Sequence, residues 1–140
     1  MINAIAFTVP GEPVGKGRPR ATTINGSARM YTPKKTANYE SLIAMAAQQA
    51  MAGAVPLKGA CVIEVECVVG MPKSMSKKHR VEALAGHMRP TKKPDGDNVL
   101  KAVCDGINGV VWVDDVQAVD SRVWKRYGET PGVHVRVAAL

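Results

Sequence analysis

The chain has 140 residues and 3 cysteines without a CxxC pair, which indicates one domain over residues 1–140 and excludes a disulfide-held scaffold. No apolar stretch approaches the roughly 20 residues that span a bilayer, and no signal peptide is recognisable, so we expect a reduced cytoplasmic protein with no membrane partner. The formal net charge of +7 favours a polyanionic partner, through attraction to phosphates and counterion release.

Charge is distributed unevenly along the chain. Residues 1–38 carry six Lys or Arg against one acid, and residues 68–94 carry seven against one. Residues 95–120 reverse this balance, with six of the 12 acids against Lys101 alone. The pattern indicates an acidic site within a basic surface, which a merely soluble basic protein does not require.

The first predicted elements are a strand and a basic loop. Ile2 to Val9 alternates loosely between β-prone residues and ends before a proline, as a strand does. Residues 11–20 then combine three glycines, two prolines and three cations, which exposes cations and backbone amides for phosphate contact. A solvated turn is the alternative, and a nucleotide P-loop is excluded because glycine follows the lysine. The candidate contacts with the phosphates of a polyanionic partner in this loop are Lys16, Arg18 and Arg20.

A helix is predicted next. Thr32 suits its N-cap and Pro33 its first position, and it extends to about Ala52. Lys34 and Lys35 in the first turn oppose the helix dipole, which is more favourable beside phosphates, and residues 11–35 are accordingly predicted to form a basic loop and helix start. The predicted apolar stripe comprises Leu42, Ile43, Met45, Ala46 and Ala50.

Leu57 to Val69 is the clearest predicted strand. Its cysteines, Cys61 and Cys67, share the apolar face, opposite two glutamates, and are expected in the core. Ser76 to Ala85 predicts a short helix within a basic stretch, where the histidines lack metal-ligand partners and are expected on the surface. The candidate contacts with the same polyanionic partner in this stretch are Lys77, Lys78, Lys92 and Lys93.

Two carboxylates stand at the start of the next predicted helix. Asp97 suits the N-cap of a helix from Asn98 to about Ile107, which Asn108-Gly109 would close with a left-handed cap. Asp95 precedes it, and the intervening glycine lets both carboxylates point to one place. Lys101, one turn beyond Asp97, is expected near it. The alternative is that Asp97 is only a helix cap.

A third carboxylate comes from the pair Asp114-Asp115. A strand is predicted over Val116 to Tyr127, and if the pair is extended too, its side chains face opposite ways, so only one joins the other two acids. Three clustered carboxylates suit a hard cation such as Mg²⁺ or Mn²⁺. An EF-hand loop is excluded, because Val99 occupies the third ligand position.

These motifs together resemble the signature of the RusA family of Holliday junction resolvases. The matching segments are Lys93 to Lys101, Asp105 to Val110 and Asp114 to Gln117, and Pro10 to Arg20 is similar to the opening of many phage-borne members. The resemblance implies a homodimeric, often prophage-encoded α+β endonuclease without a small-molecule cofactor. Such an enzyme binds four-way junction DNA and makes paired Mg²⁺-dependent incisions in recombination and repair.

The resemblance also assigns roles within a catalytic segment over residues 93–117. Asp95, Asp97 and Asp115 correspond to the catalytic, metal-binding carboxylates, and Lys101 to the catalytic lysine. Asp114 and Gln117 would be supporting residues. The chain departs from the family pattern at Val99 and at Gly106, a glycine that should weaken the helix by about 1 kcal/mol relative to alanine.

The remaining residues complete an α+β prediction with a mixed, largely antiparallel sheet and about three helices. Trp124 lies opposite Val123 on the long strand, where it would stack on DNA bases or pack in the core or a dimer interface. Pro131-Gly132 predicts a turn before a final strand. Two rival functions remain open, namely a non-catalytic DNA-binding module with structural acids and a nucleotidyltransferase, whose usual Gly-Ser approach is missing.

Overall fold

The structure, a computed structural model, describes residues 2–17, 19–31 and 33–140. Within them the predicted α+β class with three helices is confirmed. None of these helices is long and apolar enough to cross a membrane. In chain order the elements are β1 (Ala4–Pro10), β2 (Arg20–Ile24), β3 (Ser27–Tyr31), α1 (Lys34–Met51), β4 (Cys61–Gly70), α2 (Lys77–Leu84), α3 (Gly96–Ile107), a 3₁₀ turn (Asp115–Gln117), β5 (Ala118–Gly128) and β6 (Gly132–Ala139).

The main sheet has the strand order β1-β6-β4-β5. Strand β6 runs antiparallel to both β1 and β4, whereas β4 and β5 are parallel, so the predicted mixed, largely antiparallel sheet is confirmed. Parallel neighbours need a crossover connection, and here the chain between β4 and β5 supplies α2, α3 and the 3₁₀ turn. The sheet topology therefore places five of the six acids of residues 95–120, all except Asp120, in one crossover.

The apolar face of β4 forms the centre of the core. Cys61, Ile63, Val65 and Cys67 are buried at alternate positions, as predicted. Burial raises the pKa of the Cys67 thiol to about 11, so it remains protonated at neutral pH. The cysteines are thus small core residues.

Helices α1 and α3 pack on this core with stripes that differ partly from the predicted ones. Helix α3 buries Val103 and Ile107 as expected. In α1, however, Leu42 and Met45 are about half exposed, at 48% and 56%, so their prediction as core residues was wrong. The buried positions of α1 recur every four residues and form a different row, which faces the core. This row is Tyr39, Ile43, Ala47 and Met51.

Gly106 is the point of closest approach between α1 and α3. A Cβ atom built on it would lie 2.8 Å from Cγ2 of Ile43 and 3.2 Å from the backbone oxygen of Glu40. Neither atom is the far end of a flexible side chain. The glycine that weakens α3 as an isolated helix thus permits its packing in the folded protein.

We therefore expect Gly106→Ala to lower the free energy of unfolding. Overpacking a core costs roughly 1–3 kcal/mol, which outweighs a helix-propensity gain of about 1 kcal/mol. Urea unfolding followed by circular dichroism measures the change. The matched control is Asn38→Ala on the exposed face of α1, which gains helix propensity without a steric overlap. A Gly106→Ala protein more stable than the parent would contradict this account of the packing.

Several predicted boundaries need correction. Helix α3 begins at Gly96 with Asp95 at the N-cap position, so the N-cap prediction for Asp97 was wrong and Asp97 lies in the first turn. Its C-cap, Asn108, is extended, so of the predicted left-handed pair Asn108-Gly109 only Gly109 has a positive φ (+78°). Strand β4 begins at Cys61, later than predicted.

The prediction of Pro33 as the first helical residue was also wrong, since Pro33 occupies the N-cap position of α1. The predicted N-cap, Thr32, lies outside the described residues.

Trp124 lies on the face of the sheet opposite the helices. Its indole Nε1 donates a hydrogen bond to Oε2 of Glu66 at 3.1 Å, and the Arg122 guanidinium lies 4.3 Å from the ring centroid. It is half-buried and is not part of the buried cluster between sheet and helices. The alternative that Trp124 packs in this core is therefore excluded.

Candidate active site

The first two candidate carboxylates lie at the N-terminal end of α3. Asp95 occupies the N-cap position and Asp97 the first turn, and both are exposed. Oδ2 of Asp95 accepts a weak hydrogen bond from Nδ2 of Asn98 at 3.4 Å. The positive end of the helix dipole favours negative charge here, which offsets part of the repulsion between the two carboxylates.

Lys125 fixes the segment that leads into Asp95. Its Nζ donates hydrogen bonds to the backbone oxygens of Lys92 at 2.9 Å and Pro94 at 3.0 Å. Lys125 is on β5, so these two hydrogen bonds attach the residues before α3 to the edge strand of the sheet. Sequence reasoning missed this residue, because nothing in the local pattern distinguishes it from a solvated lysine.

The third candidate carboxylate, Asp115, lies in the 3₁₀ turn before β5. The argument that only one of Asp114 and Asp115 joins the other acids assumed an extended pair, and it does not apply because Asp115 begins this turn and is not extended. Their partners distinguish them instead. Oδ1 of Asp114 accepts a hydrogen bond from the Asp115 backbone N–H at 2.9 Å, whereas Oδ2 of Asp115 lies 3.6 Å from Nζ of Lys101.

Gln117 holds this turn in place. Its Oε1 accepts hydrogen bonds from the backbone N–H groups of Val113 at 2.9 Å and Asp114 at 3.2 Å. Its Nε2 donates to the backbone oxygens of Leu57 at 2.9 Å and Gly59 at 3.0 Å. All four contacts use polar backbone atoms, so Gln117 ties the Asp114-Asp115 turn to the chain that enters β4.

A chain of alternating charges joins the site to the rest of the protein. Nζ of Lys101 lies 3.3 Å from Oδ1 of Asp105, in addition to its contact with Asp115. The other carboxylate oxygen of Asp105 lies 3.0 Å from Nζ of Lys16, which also forms an ion pair with Glu40 on α1. The basic loop, α1, α3 and the 3₁₀ turn are thereby linked through side chains. Among the described residues, the expected neighbour Asp97 is not an ion-pair partner of Lys101.

The charges in this chain stabilise one another. The hydrogen bond and ion pair with Asp105 raise the pKa of Lys101, and Asp115 adds to this effect. Burial lowers the pKa of Lys16, but its bonds to Glu40 and Asp105 outweigh burial and raise it overall. Both lysines are therefore ammonium ions at neutral pH, and Lys101 is suited to electrostatic stabilisation and not to general-base catalysis.

Lys16 has an internal position that its predicted DNA-contact role does not require. Its side chain is only 20% exposed and its ammonium lies between two carboxylates. The backbone around it is also anchored, since its N–H donates to the Asn98 oxygen at 2.9 Å and the Gly17 N–H donates to Oγ1 of Thr36 at 2.9 Å. Lys16 thus connects the loop with α1 and α3, and it also lines the cleft beside Asp95, so its contact with DNA stays a prediction.

A cleft of about 910 Å³ runs between the basic loop and the start of α3. The first turn of α1 contributes Lys35, and the catalytic segment contributes Lys93 and Asp95. Lys35 and Lys93 are exposed, so this cleft offers two cations next to a candidate catalytic carboxylate. A phosphate backbone is the polyanion that such a cleft suits.

The other predicted DNA contacts are distributed over the surface. Arg18 and the side chain of Arg20 lie outside the described residues. The remaining predicted contacts are exposed, as a contact with DNA requires. They are Lys34, Lys77, Lys78 and Lys92.

The donor chemistry of the three carboxylates fits a hard cation. Asp95, Asp97 and Asp115 offer only oxygen ligands, which Mg²⁺ and Mn²⁺ prefer. Within residues 2–17, 19–31 and 33–140, no three acidic, histidine or cysteine side chains lie close enough together to hold a metal ion. In this arrangement Lys101 provides the positive charge next to Asp115.

Comparisons with known proteins found a matching family and a similar protein, each over most of the chain. The model of the family described as "Endodeoxyribonuclease RusA" matches residues 10–138. The chain is also 40% identical over 138 residues to the Bacillus subtilis (strain 168) protein called "Uncharacterized protein YqaN". That alignment covers 97% of this chain and 96% of the relative, so the similarity extends over both chains nearly from end to end.

Proposed function

Because the chain belongs to the RusA family of endodeoxyribonucleases, we propose that it is a Mg²⁺-dependent enzyme that resolves Holliday junctions in DNA recombination and repair. It would do so by paired phosphodiester hydrolysis. The observation that supports this proposal best is the contact of Lys101 with Asp115, which joins the acidic turn to the helix that carries Asp95 and Asp97.

The proposed mechanism divides the work among the chain's own residues. Asp95, Asp97 and Asp115 do not lie close enough together in this structure to hold a cation, so their carboxylates would have to come together around it, and the cation would then supply water activation and charge stabilisation. Lys101 keeps its proton and stabilises the negative charge that develops on the phosphate. Lys35 and Lys93 bind neighbouring phosphates along the cleft. Lys125 and Gln117 position the two segments that carry the acids, and neither contacts the reacting atoms.

Paired incision needs two active sites, so a homodimer is part of the proposal. Two copies related by a two-fold axis would bring equivalent sites to strands of like polarity. Four-way junction DNA is then the partner that matches the symmetry of the assembly. Mn²⁺ is expected to replace Mg²⁺, because both accept the same oxygen donor set.

An assay with a labelled four-way junction and a linear duplex of the same sequence tests the function. We expect symmetric nicks in the junction with Mg²⁺ or Mn²⁺, no nicks with EDTA, and no cleavage of the duplex. DNA ligase should seal the products, because symmetric nicking leaves the two ends at each nick next to each other.

Two other outcomes of this assay would count against the proposal. Tight junction binding without nicking in either metal would favour the non-catalytic DNA-binding module. Equal cleavage of the linear duplex would identify an endonuclease that does not require a junction.

A further inference from the structure

We propose that the hairpin formed by β2 and β3 is a DNA-binding ribbon that docks on a duplex arm of the junction. This inference rests on the proposed function, because it assumes that the partner in the cleft is DNA. The hairpin was not predicted from the sequence, and no residue from Ala21 to Met30 had been assigned a role.

The hairpin does not belong to the hydrophobic core. In the described part of the chain, β2 and β3 pair with each other and with no other strand. Every side chain described from Ala21 to Tyr31 is exposed. A two-stranded hairpin with no buried face is only marginally stable in water. A partner that covers one of its faces would therefore stabilise it.

The turn of the hairpin gives it a defined twist. Asn25 and Gly26 both have positive φ, +51° and +77°, as the two central residues of a type I′ turn do. Such turns match the right-handed twist of the flanking strands. The register pairs Thr22 with Arg29 and Ile24 with Ser27, so these four side chains share one face.

Charge identifies the partner as a polyanion. Residues 13–39 contain six Lys or Arg and no acid. The hairpin itself supplies Arg29 together with the hydroxyl groups of Thr22, Thr23 and Ser27, all of which can donate hydrogen bonds to phosphate oxygens. An acidic peptide or an acidic surface of a second copy of this chain would also be attracted to this positive charge. Neither of them, however, requires a two-stranded ribbon of this length.

Those dimensions and the position of the hairpin fit duplex DNA. The major groove admits a two-stranded ribbon, and a strand of five residues extends about 17 Å, enough to follow the groove for half a turn. Pro19 precedes β2 and Pro33 follows β3, and both line the cleft that contains Asp95. The hairpin therefore rises from the rim of the cleft, where DNA bound at the active site lies within its reach.

The test compares two hairpin variants with a charge-matched control. In the first, two glycines replace Ala21–Met30, a short link that the pairing of Arg20 with Tyr31 allows. The second is Arg29→Gln. The control is Arg136→Gln, which removes an exposed cation that pairs with Glu64 at 3.2 Å on the opposite face of the sheet.

Junction binding is measured by fluorescence anisotropy in EDTA at several salt concentrations. We expect the deletion to weaken binding about tenfold and Arg29→Gln about threefold, each with a shallower salt dependence because fewer counterions are released. Arg136→Gln should bind like the parent. Cleavage by the deletion variant at saturating protein should continue in Mg²⁺, because the catalytic segment is unchanged.

Two results would contradict the proposal that the hairpin binds DNA. Parent-like affinity and salt dependence in both variants would show that DNA does not use it. A change in molar mass by light scattering would show that the hairpin binds a second copy of the chain. Failure of the proposed function gives a different result, since the parent would then fail to nick the junction while the binding comparison still applies. Arg29→Gln keeps the test decisive if the deletion variant does not fold.

Discussion

Asp95→Asn and Asp97→Asn are each expected to abolish junction cleavage while junction binding persists or tightens. Asparagine has nearly the shape of aspartate but lacks the negative charge that holds a cation. The expected loss in single-turnover rate exceeds about 10²-fold, the scale of removing one group that stabilises a transition state. Binding persists because the change removes negative charge from a surface that faces phosphates.

The fold is not expected to change in either variant. Asparagine is as good an N-cap residue as aspartate, so Asp95→Asn keeps the start of α3. Asp97 is exposed, and its side chain has no role in helix capping. Asp120→Asn, at an exposed position on β5, is the matched control and should cleave at the parental rate. Cleavage at the parental rate by Asp95→Asn or Asp97→Asn in Mg²⁺ would disprove the site assignment.

The second large effect is expected for Lys101→Met. This change removes the cation next to Asp115 and Asp105, and the single-turnover rate at saturating protein should fall by about 10²-fold. The hydrogen bond and ion pair with Asp105 raise the pKa of Lys101 above its ordinary value, so the side chain keeps its charge across the neutral range. Lys101→Arg keeps the charge and should recover part of the rate.

A lysine that only binds DNA should behave differently. Lys77→Met, at an exposed position at the start of α2, should weaken junction binding but leave the rate at saturating protein unchanged. The two variants together separate chemistry from affinity. If Lys101→Met changed affinity alone, Lys101 would be a phosphate contact and the catalytic role would have to be abandoned.

Lys16 makes contacts within the protein that the charge pattern of the sequence did not predict. The clustering of cations in residues 11–20 is real, but the side chain of Lys16 turns inward to Glu40 and Asp105. Partly buried carboxylates are costly without a partner, so the ion pairs take precedence over solvent exposure. Sequence position cannot reveal this, because both partners come from other elements.

Asp105 illustrates a signal that was present and could have been used further. It lies four residues beyond Lys101 on α3, a spacing at which opposite charges meet on one helix face. The structure adds that Asp105 also binds Lys16 and so connects Lys101 to the basic loop. Its position between two ammonium groups makes it a positioning residue in the proposed mechanism.

The sequence by itself determined what depends on neighbours along the chain. Alternation defined the buried face of β4, the 3.6-residue period defined α3, and the motifs between Lys93 and Gln117 carried the resemblance to the family that the comparisons establish. These patterns are readable because each results from local geometry, in which side chains two or four residues apart share a face.

Only the tertiary structure decided what depends on segments distant in sequence. It placed Ile43 against Gly106, fixed Pro94 through Lys125, and held Asp115 next to Lys101. It also showed that β2 and β3 form a hairpin outside the core. These contacts form when the sheet order brings the crossover, α1 and the basic loop together, and no local period encodes that order.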